Sequence, residues 1–341
     1  MSKKEGRAKQ IIKPIIIILA VIIYCVGAYA IIYPRAKIEI QEKNSFIEAE
    51  SFLENVTEEH SKYEGCLESA QAAGMLTDGI NEEVLRSLQL DIPYAELLSA
   101  MIAYNQEIYQ NRQVNFSDAW SYAAQRFDLA QYGVQDGVVA VVDIPALEAS
   151  FPVYLGATAE HMSMGLAQLT ETSMPIGGKN TNCVLAGHRG WNNGKYLKDI
   201  EKVQLGDIIT VTNLWYEMKY EVVDIKIIIP NDIQEVLIQD GRDLLTISTC
   251  HPYGSGGRYR YLVICERVED KDLSTQIVIE DSSTLPINEQ VQEIKQPVYI
   301  SYFSSEKEIL FDDIVFYVGV ALIVLFPITS AIILLYRRRK K

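Results

Sequence analysis

Two long apolar runs, one near each end of the chain, constrain this sequence more than any other feature. Residues 11–32 contain a single charged side chain, Lys13, and residues 314–336 contain none. An α-helix needs about 20 apolar residues to cross the hydrocarbon core of a bilayer, so each run predicts a transmembrane helix. The alternatives are a cleaved signal peptide for the first run and a GPI-anchor signal for the second. The length of the first run and the basic residues after the second favour membrane spans.

Basic residues flank both runs on the side of the chain termini. Residues 1–10 form a basic tail, and residues 337–341 consist only of arginine and lysine. Positively charged flanks stay in the cytoplasm, which predicts a two-pass protein of the cell membrane with residues 33–313 outside. The chain as a whole has a net charge of −14, so the outer segment is strongly acidic. This charge argues against nucleic acid as a partner, because phosphate binding requires a basic surface.

The segment between the two runs changes character near residue 133. Residues 33–132 are rich in Glu, Ala, Leu and Gln, and their apolar residues recur every three or four positions, which predicts helices. In residues 133–270, seven or eight short β-branched runs alternate with turn residues, which predicts a mainly β barrel or sandwich. Residues 271–313 are polar and acidic, and they predict a linker to the second membrane span.

A histidine and a cysteine each stand at the end of a predicted strand. His188 follows the run 184–187, and Cys250 follows the run 245–249. Both would lie at the mouth of the barrel, next to glycine-containing loops. A thiolate can attack a carbonyl carbon, and a neighbouring imidazolium can protonate the leaving amine. Taken singly, however, a strand cysteine is more often a small buried apolar residue, and a lone histidine is usually a surface residue.

Two arginines at the start of the last predicted strand supply the third kind of group. A thiolate that attacks an amide creates an oxyanion, which needs a hydrogen-bond donor or a cation. Alternation along the strand places Arg258 and Arg260 on the same face, so either guanidinium could reach that oxyanion. A solvent-exposed strand edge is the ordinary alternative for each arginine. The combination of cysteine, histidine and arginine on one β domain is much more specific than any of the three alone.

The remaining cysteines predict neither a disulfide framework nor a metal site. The sequence has 5 cysteines, scattered along the chain, and none is grouped with histidine at the spacing of a zinc site. Cys183 and Cys265 lie inside predicted strands, so we expect them to be buried thiols. No glycine-rich phosphate loop occurs. We therefore expect chemistry without a metal or an organic cofactor.

Three segments carry a family resemblance. L-A-G-H-R-G at 185–190 and T-I-S-T-C at 246–250 resemble the histidine and cysteine motifs of sortases, the membrane-anchored cysteine transpeptidases of Gram-positive surfaces. R-Y-L-V-I-C-E-R-V at 260–268 resembles the strand that holds the arginine of the family. The resemblance implies a closed eight-stranded β-barrel with Cys250, His188 and Arg260 as catalytic residues, and Arg258 as the runner-up. It also implies cleavage of an LPXTG-like sorting signal and transfer of the thioacyl-enzyme to an amine.

Within this family the chain is most similar to class C, the pilus-assembling group. The similar features are the C-x-P-Y-G stretch, the G-H-R-G loop and the second apolar run with its basic tail. Class C members often carry a lid with an Asp-Pro-aromatic motif, to which Asp118 and Trp120 are the nearest match. Ala119 replaces the proline, and the alternative for Trp120 is a core position in a helix that starts at Asp118.

The resemblance to class C implies secreted proteins or pilins with a C-terminal sorting signal as substrates, and a pilin lysine as the acceptor amine. Three alternatives stay open from the sequence. A housekeeping-type sortase would use the amine of a peptidoglycan precursor, and a cysteine peptidase would use water. A non-catalytic, membrane-tethered binding domain would use the barrel without its chemistry.

Overall fold

The computed structural model describes residues 41–57, 93–114, 127–190, 196–254 and 257–268, together with helical positions among residues 18–40 and 314–328. The chain divides into two compact units, the first formed by residues 1–40, 192–194 and 306–341, and the second by residues 41–191 and 195–305. The candidate lid residues Asp118 and Trp120 and the predicted linker at 271–313 lie outside the described residues.

In the first unit, the described parts of the two apolar runs contact each other. The hydroxyl of Tyr24 donates a hydrogen bond to the carbonyl oxygen of Ile323. The rings of Tyr24 and Phe326 stack, with their centroids 5.7 Å apart. Within the described part of the chain, no helix is both long enough and apolar enough to cross a membrane. The spans predicted at 11–32 and 314–336 include many residues outside the described set, and they stay predictions.

The second unit is built around a closed barrel of eight strands in the order β1-β2-β3-β4-β7-β8-β6-β5. The strands are β1 (Val138–Ile144), β2 (Ala149–Leu155), β3 (Leu166–Gln168), β4 (Thr181–Ala186), β5 (Ile208–Asn213), β6 (Glu217–Ile228), β7 (Asp243–His251) and β8 (Tyr259–Arg267). Neighbouring strands are antiparallel except for the pairs β2–β3 and β4–β7. The predicted mainly β fold with a closed eight-stranded barrel is confirmed.

Apolar residues cover both faces of the strands that lead to the site. In β7, Leu245 and Ile247 point into the main core, whereas Leu244 joins a second apolar cluster on the outer face. Val236 and Leu237, from the connection between β6 and β7, pack against this outer cluster. Strands that are buried on both faces have nearly continuous apolar sequences, which explains the runs in β4 and β7. Burial on both faces holds the ends of these two strands in fixed positions.

Helices pack against the barrel. The helix α1 (Ala95–Gln110) buries Leu97 and Met101 in the main core. The short helix α2 (Ala159–Met164) is capped by Thr158, whose hydroxyl accepts the amide hydrogen of His161 at 3.1 Å. Residues 41–57 are also helical. Short 3₁₀ turns occupy Leu129–Tyr132, Pro145–Leu147, Ile200–Lys202 and Gln234–Val236.

Hydrogen bonds join the helical residues 41–57 to the barrel. Gln41 Nε2 donates to Ser163 Oγ in α2 at 2.9 Å. The hydroxyl of Tyr154 in β2 donates to Glu48 Oε2 at 2.5 Å. These contacts make the helical residues part of the same compact unit as the barrel.

Candidate active site

The parallel strands β4 and β7 end side by side, which brings His188 and Cys250 to the same end of the barrel. The register pairs Ala186 with Ser248. The amide of Gly187 donates to the carbonyl oxygen of Ser248 at 3.1 Å. His188 and Cys250 each follow two residues after this register pair, so they occupy equivalent positions on adjacent strand ends.

The neighbouring strand β8 brings Arg260 to the thiol. The antiparallel register of β7 and β8 pairs Cys250 with Arg260. A Cβ atom added at Gly257 would lie 3.2 Å from Cys250 Sγ and 2.9 Å from Arg260 Nη1, so both groups flank one point in space. Arg260 Nη1 donates to the carbonyl oxygens of Gly257 at 2.7 Å and Tyr259 at 3.2 Å. The backbone of its own loop thus holds the guanidinium beside the thiol.

Gly257 keeps the space beside the thiol open. Its φ is +85°, in the left-handed region that strains any residue with a side chain. A side chain there would also fill the space between Cys250 Sγ and the Arg260 guanidinium. A role for Gly257 was not predictable from the sequence, because a glycine in a loop is informative only when its backbone angle and neighbours are known.

The two candidate arginines lie in different environments. Arg260 is inside β8 and half-buried, in register with Cys250. Arg258 precedes the strand and is exposed. The geometry therefore favours Arg260 as the cation for an oxyanion that forms at Cys250.

His188 is half-buried at the end of β4. Burial lowers the pKa of His188, because removal from water disfavours the charged imidazolium. A neutral imidazole therefore predominates at neutral pH, and it can accept a proton from a thiol. Once protonated, an imidazolium with a lowered pKa is a stronger acid, which favours proton donation to a departing amine.

Cys250 differs from the two other cysteines of the barrel. Cys183 and Cys265 are buried in strands, and burial raises the pKa of both thiols. A buried, protonated thiol is a poor nucleophile. The prediction that these two cysteines are buried thiols is confirmed. Cys250 is half-buried, at a strand end beside a cation.

Comparison with known proteins identifies the domain. Residues 142–268 match the family model of the sortase domain. Sortase D of Bacillus subtilis (strain 168) is 25% identical over 130 residues, which are 38% of this chain and 63% of that protein. The chain therefore spans less than two thirds of the length of this curated relative.

Solved structures of sortases are also similar to this chain. Sortase C1 of Streptococcus agalactiae is 27% identical, with a TM-score of 0.47, over 53% of this chain and 92% of that one. Sortase C-1 from Streptococcus pneumoniae is 31% identical, with a TM-score of 0.43, over 50% of this chain and 91% of that one. The matched residues 142–268 contain His188, Cys250 and Arg260. The match of residues 142–268 to the sortase domain model confirms the resemblance of the histidine, cysteine and arginine segments to that family.

Proposed function

We propose that this chain is a sortase-type cysteine transpeptidase. The observation that carries the proposal is the position of Cys250 Sγ and the Arg260 guanidinium on either side of one point beside Gly257. His188 lies at the adjacent strand end, where the β4–β7 register places it level with Cys250. The match of residues 142–268 to the sortase domain supports the same function.

The acylation step uses all three groups. Cys250 Sγ attacks the carbonyl carbon of the Thr–Gly bond in an LPXTG-like sorting signal, and its proton moves to His188. The carbonyl oxygen becomes an oxyanion, which the Arg260 guanidinium stabilises. The carbon–nitrogen bond then breaks, and the His188 imidazolium donates its proton to the leaving amine. The products are a thioacyl-enzyme and the released C-terminal fragment.

The transfer step reverses these roles. An acceptor amine attacks the thioester carbonyl carbon, and neutral His188 takes a proton from that amine. The carbon–sulfur bond breaks, the Cys250 sulfur leaves and regains a proton, and a new amide bond joins the acyl group to the acceptor. Each step in this cycle is carried by side chains of the chain itself.

We propose a pilin lysine as the acceptor, so that the product is an isopeptide-linked polymer of secreted subunits. The C-x-P-Y-G stretch at 250–254, the G-H-R-G loop at 187–190 and the second apolar run with its basic tail support this choice. A housekeeping-type sortase that attaches surface proteins to a peptidoglycan precursor is the second candidate. The positions of Cys250, His188 and Arg260 disfavour a binding domain without catalysis.

We also propose that the enzyme is anchored in the cell membrane by two spans, with the barrel outside and both termini in the cytoplasm. The two apolar runs and their basic flanks support this arrangement.

The test is incubation of the purified full-length protein with LPXTG-like peptides and with amines of two kinds, followed by mass spectrometry. The amines are a lysine-containing pilin-type peptide and a peptidoglycan-type branch peptide. The wild type should form a thioacyl adduct and an amide product. Cys250→Ala should form neither, whereas Cys25→Ala, which removes another free thiol, should retain both.

The product distinguishes the candidates. An amide with the lysine peptide supports the pilin acceptor, and an amide with the branch peptide alone supports the housekeeping alternative. Hydrolysed peptide alone indicates a cysteine peptidase. Full transpeptidation by Cys250→Ala would overturn the proposed function.

A further inference from the structure

A buried polar cluster joins the residues that directly follow the proposed catalytic residues. Arg189 follows His188, and His251 follows Cys250. Arg189 Nη1 donates to His251 Nδ1 at 2.7 Å, and this nitrogen is the acceptor because arginine has only donors. The side chains of Arg189 and His251 are each only 1% exposed. The histidine and cysteine motifs are therefore connected by this buried hydrogen bond as well as by the pairing of β4 with β7.

Glu201 completes the cluster from the 3₁₀ turn Ile200–Lys202. Its Oε1 accepts a hydrogen bond from Arg189 Nη2 at 2.5 Å and lies 3.5 Å from His251 Nδ1. Arg189 Nε donates to the carbonyl oxygen of Lys198 at 3.3 Å. All three nitrogens of this buried guanidinium thus have partners, which is the condition for burying a charge at tolerable cost.

Tyr261 brings the third catalytic segment into the cluster, because it directly follows Arg260. The Arg189 guanidinium carbon lies 5.7 Å from the centroid of the Tyr261 ring, and the His251 ring centroid lies 5.6 Å from it. Burial and the nearby Glu201 carboxylate raise the pKa of Tyr261 to about 12, so this phenol stays neutral.

Strand geometry explains why the cluster and the site are separate. Successive side chains of a strand point to opposite faces, so Cys250 and Arg260 face one side while His251 and Tyr261 face the other. The backbone joins Cys250 to His251 and Arg260 to Tyr261. A shift of His251 or Tyr261 therefore moves the proposed catalytic residue next to it.

Two further contacts tie the same loops together. Thr249 Oγ1 donates to the carbonyl oxygen of Gly187 at 2.8 Å. A Cβ atom at Gly190 would lie 2.2 Å from Tyr253 Cε2, so the loop after Cys250 packs directly on the backbone after His188. The cluster thus lies within a tightly connected region and not in an isolated part of the core.

We propose that Arg189, His251 and Tyr261, held together by Glu201, are positioning residues that fix the relative positions of His188, Cys250 and Arg260. The inference rests on the proposed function, because it assigns the cluster a part in that reaction. Displacement of a reacting group by about 1 Å costs about 100-fold in rate. Replacement of a buried ionic group by apolar residues of similar volume is often neutral or stabilising, so we assign the cluster a role in geometry and not in stability.

The test compares two substitutions of His251 in the full-length protein. Asparagine keeps an acceptor oxygen close to the position of Nδ1, whereas leucine has none. We expect His251→Leu to lower kcat for acyl-enzyme formation by about 10- to 100-fold, with KM changed by less than about twofold. His251→Asn should recover most of this loss, which a merely space-filling role would not predict.

Arg242→Met is the matched control. Arg242 directly precedes β7 and binds Glu266 of β8 at 3.0 and 2.7 Å, at the opposite end of the β7–β8 pair from Cys250. This variant should keep the kcat of the wild type when rates are expressed per folded molecule. Equal kcat losses in His251→Leu and Arg242→Met, or unchanged kcat in both His251 variants, would overturn the proposal.

Arg189→Lys provides a second test that does not depend on the folding of His251→Leu. Lysine keeps the charge but lacks the planar fork whose three nitrogens bind His251, Glu201 and the Lys198 carbonyl oxygen. We expect a kcat loss comparable to that of His251→Leu. A wild-type kcat in folded Arg189→Lys would contradict the proposal.

Alkylation of Cys250 by iodoacetamide separates this inference from the proposed function, since it needs no peptide. The alkylation rate and its pH profile depend on the distance between the thiol and His188. Both should change in His251→Leu and Arg189→Lys and stay as in the wild type in Arg242→Met. If the wild type forms no acyl-enzyme, the proposed function fails, while an unchanged alkylation profile in all variants refutes the positioning role.

Discussion

Strand β7 begins in a buried polar cluster and ends at the candidate active site, and the two ends differ in how completely the side chains of Asp243 and Cys250 are bound. The carboxylate of Asp243, at the start of the strand, accepts hydrogen bonds from the Gly178 amide at 2.8 Å, the Tyr220 hydroxyl at 3.0 Å and the Thr181 hydroxyl at 3.3 Å. Burial nevertheless raises the pKa of Asp243. At the other end, the thiol of Cys250 is half-buried and reachable from solvent.

If the proposed function is correct, the Asp243 end of the strand serves the fold and the Cys250 end serves the chemistry. Buried donors that share one acceptor stabilise the fold because each would be costly if left unbound. A half-buried thiol beside a guanidinium leaves room for a peptide carbonyl. Substitutions at the two ends should therefore separate loss of activity from loss of stability.

The largest effect is expected at Arg260. Loss of one oxyanion donor costs about 100- to 1,000-fold in kcat, so Arg260→Met should reduce acyl-enzyme formation by that amount. Its melting temperature should stay close to that of the wild type. Arg258→Met removes the exposed arginine two residues earlier, and its kcat should stay within about twofold of the wild type. A larger loss in Arg258→Met than in Arg260→Met would exchange the roles of the two arginines.

Gly257 allows a sharper test at the same end. Gly257 and Gly254 both have positive φ, +85° and +73°, so alanine strains the backbone at both. Only at Gly257 would the new Cβ meet Cys250 and Arg260, because nothing lies within 4 Å at Gly254. Both alanine variants should lose about 1–2 kcal/mol of stability.

The two glycine variants should differ in rate. Gly257→Ala should lower the rate of acylation by about tenfold or more, since the added methyl group displaces the thiol or the guanidinium. Gly254→Ala should acylate at the wild-type rate per folded molecule. Stopped-flow measurement of adduct formation checks this, and equal losses in both variants would show that loop strain alone controls the rate.

At the opposite end, Asp243→Ala should affect stability and leave the chemistry intact. It leaves the Gly178 amide and the buried Tyr220 hydroxyl without their carboxylate acceptor, whereas the Thr181 hydroxyl still donates to the carbonyl oxygen of Gly178 at 2.6 Å. The free energy of unfolding should therefore fall by about 1–3 kcal/mol. Asp240→Ala, which removes an exposed ion pair with Arg112, should have a much smaller effect. Urea denaturation measures both. A loss of kcat in folded Asp243→Ala would contradict the division between the two ends.

The smallest effect concerns the pH dependence of stability at His188. Its pKa in the folded protein is lowered from the ordinary value of 6.5, so folding favours the neutral imidazole. The resulting stability is fully present above the unfolded pKa, and it is lost as the pH falls through the folded pKa. Unfolding measured from about pH 7.5 to about pH 5 should show a smaller loss in His188→Gln than in the wild type. Equal pH dependence in the two proteins would contradict the assignment.

The sequence predicted most of the barrel, because β-branched runs between glycine, proline and asparagine are a strong signal. It did not predict β3 (Leu166–Gln168), since three residues are too few to show alternation. Nor did it predict the parallel pairing of β4 with β7, which joins positions 62 residues apart. Long-range pairing leaves no local pattern that a reader of the sequence could detect.

The main residues of the candidate site were predictable from the sequence, but the buried contact next to them was not. His188, Cys250 and Arg260 were chosen from short motifs, and the fold brings their strands together. The contact between Arg189 and His251 was not predictable, because it also joins residues 62 positions apart and a lone arginine suggests a surface residue. The lid and the membrane spans stay predictions.

The parallel pairing of β4 with β7 also bears on the stage of folding at which Cys250 acquires its neighbours His188 and Arg260. Two whole strands, β5 and β6, separate Gly187 from Thr249, which bind each other across the pair. We expect such contacts to form late in folding, because the entropy of closing a long loop opposes them. A partly folded chain therefore carries a thiol that has neither its imidazole nor its guanidinium beside it. We therefore expect transpeptidase activity to appear only when the barrel has closed.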